Sequence, residues 1–373
     1  MTTILLISVS LSLAYILLIS RYMKGWNSIL EYRNENKGLL INISLIVAFR
    51  NEEENLPALL TALQDQSYPS ARTEIIFVDD NSDDNSTVLV RKFIDSGANA
   101  HLIRLKEPDA GKKKALSIAA ATAKGELLIF TDADAIPDNN WIKTIVSCYI
   151  DKKPVLIASP VVINPAVSFF DRFQSLEFYS LIGTTAGSFG LNDPIMLNGA
   201  NFAIERNVYL DSISFLQSHS LSGDDMFLLL HLKKNFSGRL IFLKSPEAIV
   251  RIKPQPGVSD FISQRFRWTS KSKYYRDKSL ILSALIVLLT NLWLLNCLVM
   301  VFFNPLFIII GGGVFIAKTL VDYVFLKKVL RFFRMENLLR LFVLSQFLYF
   351  LYISFIGIGG NIFPSKWKGR LVK

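Results

Sequence analysis

The sequence is short of the residues that make metal knots, disulfide frameworks and histidine catalysis. Among 373 residues there are two cysteines and three histidines. Cys148 sits mid-chain and Cys297 in an apolar stretch near the end, so neither a disulfide pair nor a metal-ligand spacing emerges, which suits a reducing, cytosolic setting. His101, His219 and His231 share no ligand spacing and are given no role. Charged residues are also sparse, 19% against 51% hydrophobic, which places the chain on the apolar side of a soluble protein. No internal repeat and no low-complexity linker interrupts it. The net charge of +10 comes with no nucleic-acid motif, so nucleic acid is not an expected partner. Between residues 40 and 278 no apolar run is long enough to cross a bilayer.

What the middle lacks, the ends supply. Residues 4–19, ILLISVSLSLAYILLI, are uncharged and are followed at once by Arg21 and Lys24. Basic residues after the apolar stretch, not before it, favour a retained anchor (residues 1–22) over a cleaved signal peptide. The positive-inside rule then sets the N-terminus outside and the following domain in the cytosol of a cell (inner) membrane protein. Three more apolar stretches, roughly 280–303, 305–326 and 341–363, close the chain as a bundle over 279–363, ahead of a basic tail at 364–373. Lys271, Lys273, Arg276 and Lys278 hold the start of the bundle at the cytosol; Lys327, Lys328, Arg331 and Arg334 hold the end of its second segment there. A complete last crossing would leave Lys366, Lys368, Arg370 and Lys373 outside, against the rule. Either that segment stops short or the tail breaks the rule. The basic flanks read as attraction to anionic membrane lipids.

Residues 40–255 form the domain between. Apolar runs at 43–48, 74–78, near 101–105 and at 126–130 alternate with helix-like segments at about 55–66, 84–96 and 112–123, the pattern of an α/β fold with a mostly parallel sheet. Ligands of such sheets bind beyond the carboxyl ends of the strands. Three polar clusters fall there: Phe49-Arg50-Asn51-Glu52, Asp79-Asp80, and Asp132 with Asp134 in TDADAIPD. Residues two apart on an extended strand face one side, so Asp132 and Asp134 share one small volume. An acidic turn capping the next helix is the plain reading of one such pair. Three polar clusters on one edge favour a hard divalent cation bridging a carboxylate to substrate phosphates. Lys112-Lys113-Lys114, opening a helix after Gly111, suits an anionic phosphate, with Lys112 the residue proposed to reach it. A solvated basic helix end explains the triplet equally well.

At this point motifs accumulate: VAFRNEEENLPALLTAL at 47–63, VDDNSDD at 78–84, GKKKAL at 111–116, TDADA at 131–135, NGANFAIER at 198–206, SGDDMFLLL at 222–230 and QRFRW at 264–268. In this order they resemble the family 2 glycosyltransferases, inverting nucleotide-sugar enzymes of the Rossmann-like GT-A fold. They are most similar to the membrane-bound subgroup carrying QxxRW, which includes ceramide glucosyltransferase and the cellulose, hyaluronan and poly-N-acetylglucosamine synthases. The resemblance covers about the first 270 residues. It implies that Glu52 and Asp79 or Asp80 contact the nucleoside, that Asp132 lies near the ribose and donor sugar, and that Asp134 binds the cation, Mg²⁺ or Mn²⁺. Asp225 matches the general base. Asp224 stands where many relatives carry Glu, one methylene shorter. Gln264, Arg267 and Trp268 match QxxRW and imply substrate contacts.

Residues 256–278 around this last motif look like an amphipathic helix on the inner leaflet. Trp268 can serve as a sugar platform or an interfacial anchor, and Arg265 and Lys271 are read as interfacial. Lys318 and Asp322, four apart, are expected to pair, and Gly311-Gly312-Gly313 to mark close packing or a kink. The expected activity is transfer of a sugar from a UDP-sugar, with inversion, to a membrane-associated lipid. A processive polysaccharide synthase acting on a growing glycan is the alternative, and a non-catalytic sugar-nucleotide-binding partner the rival from another class.

Overall fold

A computed structural model describes residues 1–33, 38, 40–105, 111–217, 224–360, 362, 365–367 and 370–372, with side chains for all of these except 217, 224, 365–367 and 370–372. The chain forms two compact units. The first comprises Met1–Ser28, Pro165–Ile195 and Pro254–Lys373, the second Ile29–Asn164 and Met196–Lys253.

Helix α1 (Thr2–Ser28) opens the first unit. The second then alternates through β1 (Ile43–Phe49), α2 (Leu56–Gln64), β2 (Thr73–Asp79), α3 (Ser86–Asp95), β3 (Ala100–Arg104), α4 (Lys112–Thr122), β4 (Leu127–Asp132), β5 (Ala135–Pro137), α5 (Trp141–Lys152), β6 (Leu156–Ala158) and β7 (Val161–Ile163). Helix α6 (Phe169–Gly190) returns to the first unit. The second resumes with β8 (Phe202–Glu205), α7 (Arg206–Gln217), α8 (Asp224–Asn235), β9 (Leu240–Phe242) and β10 (Val250–Ile252). The first unit ends with α9 (Val258–Thr269), α10 (Lys278–Met300), α11 (Leu306–Phe333), α12 (Phe342–Gly359) and a hairpin of β11 (Ser365–Trp367) and β12 (Arg370–Val372).

In the second unit one sheet runs β3-β2-β1-β4-β8-β6-β9. Its first four strands are parallel, and β8 is antiparallel to both β4 and β6. Helices cover both faces, so β1 is apolar nearly throughout, as both-face burial requires. Leu45, Val47, Phe77 and Ile129 pack with Leu56, Leu59 and Leu63 of α2 and with Trp141 and Ile145 of α5. On β4, the Phe130 ring stacks on Phe202 at 4.5 Å and meets Tyr209 of α7 at 5.0 Å. A small sheet, β5-β10-β7, lies beyond the end of β4.

Among the described residues four helices are long and apolar enough to cross a membrane: α1, α10, α11 and the stretch Glu336–Gly359 that contains α12. In the same unit, α6 packs on α1 with the backbones touching. A Cβ on Gly25 or Gly190 would collide with the other helix, and one on Gly187 would meet the Tyr22 carbonyl. This corrects the expected domain boundary: residues 165–195 lie within the interval 40–255 yet fold with the apolar helices, because the glycine face of α6 matches that of α1. The Lys318–Asp322 pair forms at 2.7 Å, with Lys318 buried among the helices. It is 2% exposed, donates to Gln346 Oε1 at 2.6 Å, and lies beside the Tyr15 and Tyr349 rings. Gly311 admits Cys297 of α10, which is close packing; Gly312 and Gly313 face open space.

Candidate active site

The strand register sets the polar clusters level. Phe49 of β1 pairs with Asp79 of β2, and Ala48 with Asp132 of β4. The loops after β1 and β2 are then zipped together by short polar side chains. Asn51 N–H donates to Ser82 Oγ at 3.0 Å, Glu52 N–H to Ser86 Oγ at 2.8 Å, and Glu53 N–H to Asp84 Oδ2 at 3.1 Å; Asp83 N–H returns to Asn51 Oδ1 at 3.0 Å. Asn51 and Asn81 take left-handed backbone, φ 51° and 62°, which asparagine tolerates better than most residues. The Ser/Asn/Asp richness of the second loop signals a turn. That its side chains tie two loops together was not legible, because the partner loop is 30 residues away.

Asp79 is fully buried and its carboxylate is committed. It accepts from Ser82 N–H at 2.8 Å and Thr87 Oγ1 at 3.0 Å and pairs with Arg104 Nε at 3.1 Å. Arg104 also donates to the Ser82 carbonyl at 3.0 Å. Asp80, 2% exposed, accepts from Gly111 N–H at 2.6 Å, which ties the start of α4 to the β2 edge. These two acids hold the loop after β2 and the start of α4 in place. Arg104, which the sequence reading passed over, is the cation that pairs with Asp79.

The remaining candidates of this unit converge. Lys112, first residue of α4, pairs with Asp132 Oδ1. Burial works against its charge, but Asp132, Asp225 and Asp134 together lift the ammonium above its ordinary value. Asp134 is pushed up to about 6 by burial, then by Asp132 and Glu52, with Lys112 opposing. Glu52, Lys112, Asp132, Asp134 and Asp225 therefore share one electrostatic neighbourhood. Asp225 Oδ2 accepts from Gly199 N–H at 3.1 Å and Oδ1 from Met226 N–H at 2.9 Å, which fixes the carboxylate at the start of α8. Gly199 lies against it, where a Cβ would touch Asp225 Oδ2 at 3.4 Å. Glu52 accepts from Asn55 Nδ2 at 2.8 Å. The side chain of Asp224 lies outside the described residues.

Among the described residues no group of three or more His, Cys, Asp or Glu side chains encloses a metal ion. The donor set nevertheless fits a hard divalent cation completed by substrate phosphate oxygens. Its side chains offer only oxygen ligands, and Asp134 is raised first by burial and then by the neighbouring Asp132 and Glu52 carboxylates, whose charge a divalent cation would offset.

The other three candidates belong to the first unit, on α9. Arg265 stands between them and is not interfacial as expected. It is 3% exposed, its Nε and Nη2 donate to Glu177 of α6 at 3.1 and 2.5 Å, and Nη1 donates to Gln264. Its guanidinium lies 4.2 Å from the Trp268 ring centroid and 4.4 Å from that of Phe261. Tyr352 of α12 adds a bond to Glu177 at 3.3 Å. A buried planar cation needs such a bidentate partner and stacking faces. The sequence concealed it because Glu177 is 88 residues away. Arg267 and Lys271, half-buried, flank this core.

The class now follows. Residues 44–213 match the family described as Glycosyl transferase family 2. The chain is similar to the probable glycosyltransferase YdaM of Bacillus subtilis, at 26% identity over 71% of this chain and 66% of the relative. It is also similar to the beta-monoglucosyldiacylglycerol synthase of Trichormus variabilis, at 25% identity over 55% of this chain and 44% of that one. The chain thus spans under two thirds of the first relative and under half of the second. A solved structure, the mannosyltransferase PcManGT of Pyrobaculum calidifontis in complex with GDP-Man and Mn²⁺, superposes with a TM-score of 0.60 over 95% of this chain and 99% of that one, at 16% identity. The fold is GT-A-like.

Proposed function

We propose that the protein is a membrane-bound inverting glycosyltransferase that moves a sugar from a nucleotide diphosphate donor, a UDP-sugar, to a lipid acceptor. The observation that carries this reading is the meeting of Glu52, Lys112, Asp132, Asp134 and Asp225 at the carboxyl edge of the parallel strands. The likeness to a synthase named for a glucosylated diacylglycerol supports the lipid acceptor.

The chemistry asks for a base and for charge compensation. Asp225 takes the proton of the acceptor hydroxyl as that oxygen bonds to the anomeric carbon. The bond from the anomeric carbon to the diphosphate oxygen breaks on the opposite face, the electron pair leaves with the nucleotide diphosphate, and the configuration inverts. Asp134, with Asp132, would hold a divalent cation that offsets the charge of the leaving diphosphate; a neighbour solved with Mn²⁺ supports a cation of this kind. Lys112 supplies positive charge beside Asp132. Gln264, Arg267 and Trp268 are assigned substrate contacts through the motif they form.

Membranes containing the protein, incubated with labelled UDP-sugars and, in parallel, GDP-sugars, test this directly. Label entering organic solvent in a cation-dependent way supports transfer to lipid. Label retained as a polymer favours the processive alternative. No transfer from either nucleotide contradicts the proposal.

A further inference from the structure

Four contacts fix the directions of the apolar helices in the first unit. Tyr15 of α1 donates to Asp322 of α11, and Trp26 packs on Phe332 with ring centroids 5.7 Å apart, so α1 and α11 run the same way. Trp293 of α10 donates to Ser8 at 2.9 Å, while Ser283 lies 2.6 Å from the Tyr22 hydroxyl, so α10 runs against them. The C-terminal ends of α1 and α11 and the N-terminal end of α10 therefore share one side. Arg21, Lys24, Lys273, Arg276, Lys278, Lys327, Lys328, Arg331 and Arg334 cluster there along the chain. The turn at the opposite end, Val301–Pro305, has no charged residue, and Phe302 and Phe303 stand exposed in it.

Helix α12 does not complete this pattern. It begins beside α11 with Phe342 against Tyr323, 5.5 Å between centroids, and Gln346 bonded to Lys318. Phe347 and Phe350 then meet Phe315, at 4.5 and 6.4 Å. A crossing helix would continue to the start of α11 and the end of α10. Instead Gly357 lies against Leu288, Phe355 stacks at 5.5 Å on Phe266 of α9, and Gly360 has Thr269 where a Cβ would go. Leu288 is midway between Ser283 and Trp293, hence midway between the levels of Tyr22 and Ser8. That is the level of Tyr15 and of its partner Asp322. Over the 15 residues from Phe342 to Gly357, about 22 Å of helix, net advance along the bundle is close to nothing. The deepest contact, Phe315, is eight residues or about 12 Å beyond Tyr323.

We infer that, among the described helices, three cross the membrane, α1, α10 and α11, and that α12 does not cross but lies obliquely over them at membrane depth with both of its ends toward the basic side. Length and hydropathy permit a fourth crossing, but helix-to-helix contacts oppose it. Non-crossing backbone at membrane depth is tolerated where protein covers it, and α12 packs on α9, α10 and α11. The arrangement also removes the conflict in the charge pattern. Lys366 and Arg370 then lie on the side of the other basic flanks, as the positive-inside rule asks. It further brings the chain's end back to α9, where β11 packs against the helix that carries Gln264, Arg267 and Trp268. The inference does not depend on the proposed activity.

One cysteine added at a time to the full-length protein tests it, with Cys148 and Cys297 left in place because both are buried. Lys273→Cys marks the basic side, Asn304→Cys the uncharged turn and Val372→Cys the tail. Intact cells are treated with a membrane-impermeant maleimide before and after permeabilisation. The expected result is that Val372→Cys labels like Lys273→Cys and opposite to Asn304→Cys. Labelling of Val372→Cys together with Asn304→Cys would mean that α12 crosses, and would overturn the inference.

Discussion

Replacing Asp134 by Asn should push stability and ligand binding in opposite directions. The carboxyl is raised to about 6 by burial and by the charges of Asp132 and Glu52, against an unfolded value of about 3.9. A carboxyl raised in the folded state is held there at a cost once it ionises. That cost is absent below about pH 4, grows as pH rises and is complete above about pH 6. Two units at about 1.4 kcal/mol each set a ceiling near 3 kcal/mol; the side chain keeps some contact with solvent, and screening brings this to roughly 1–2 kcal/mol. Asn removes the charge and keeps the shape. In chelator at pH 7.5, Asp134→Asn should unfold later than the wild type by roughly 2–8 °C for a unit of this size, and the gap should close toward pH 4. In the same preparation, divalent-dependent binding of UDP, measured by calorimetry, should disappear. A variant that is less stable at pH 7.5 in chelator, or one that keeps metal-dependent UDP affinity, would refute the reasoning.

Cys148 is fully buried and its thiol is pushed up to about 12 by burial, with Asp151 adding and Lys152 opposing. It should resist thiol reagents at pH 8 in the folded protein and react only after denaturation, as a maleimide time course will show. Glu177→Gln strands the Arg265 guanidinium among Phe261 and Trp268 and should cost about 3–5 kcal/mol; Glu177→Leu with Arg265→Met removes both charges and should have a higher thermal midpoint than either single change. Gly187→Ala puts a methyl group where the Tyr22 carbonyl lies, so the α1–α6 contact must open. The thermal midpoint should fall well below that of a Gly312→Ala control, which meets nothing within 4 Å.

The parts of the fold that were legible are those decided locally. The apolar runs of β1, β2 and β4 each end at a polar residue, and parallel pairing levels those ends, so Glu52, Asp132 and Asp134 could be gathered on paper before their geometry was known. Lys112 was legible for a related reason, since Gly111 opens its helix next to the same edge. What escaped depends on partners far apart in sequence. Nothing near Phe169–Gly190 announces that its glycines fit Gly25 rather than the sheet. Arg265 reads as an interfacial cation until Glu177 and Tyr352 are set beside it. Asp79 looks like an open ligand until Arg104, Thr87 and Ser82 occupy it. The apolar stretch at 341–363 has the composition of a crossing, and composition is blind to the direction in which a helix leaves.

The central claim is that Asp225 is the base of a sugar transfer. Gly199 and Met226 N–H groups fix its carboxylate, and Asn keeps its size and one accepting oxygen but cannot take the acceptor's proton. The decisive measurement is sugar transfer and UDP-sugar affinity on one preparation of folded Asp225→Asn. The account predicts donor affinity near that of the wild type with transfer reduced roughly 10²–10⁴-fold. Transfer within about threefold of the wild type, a barrier change well under 1 kcal/mol, would contradict it.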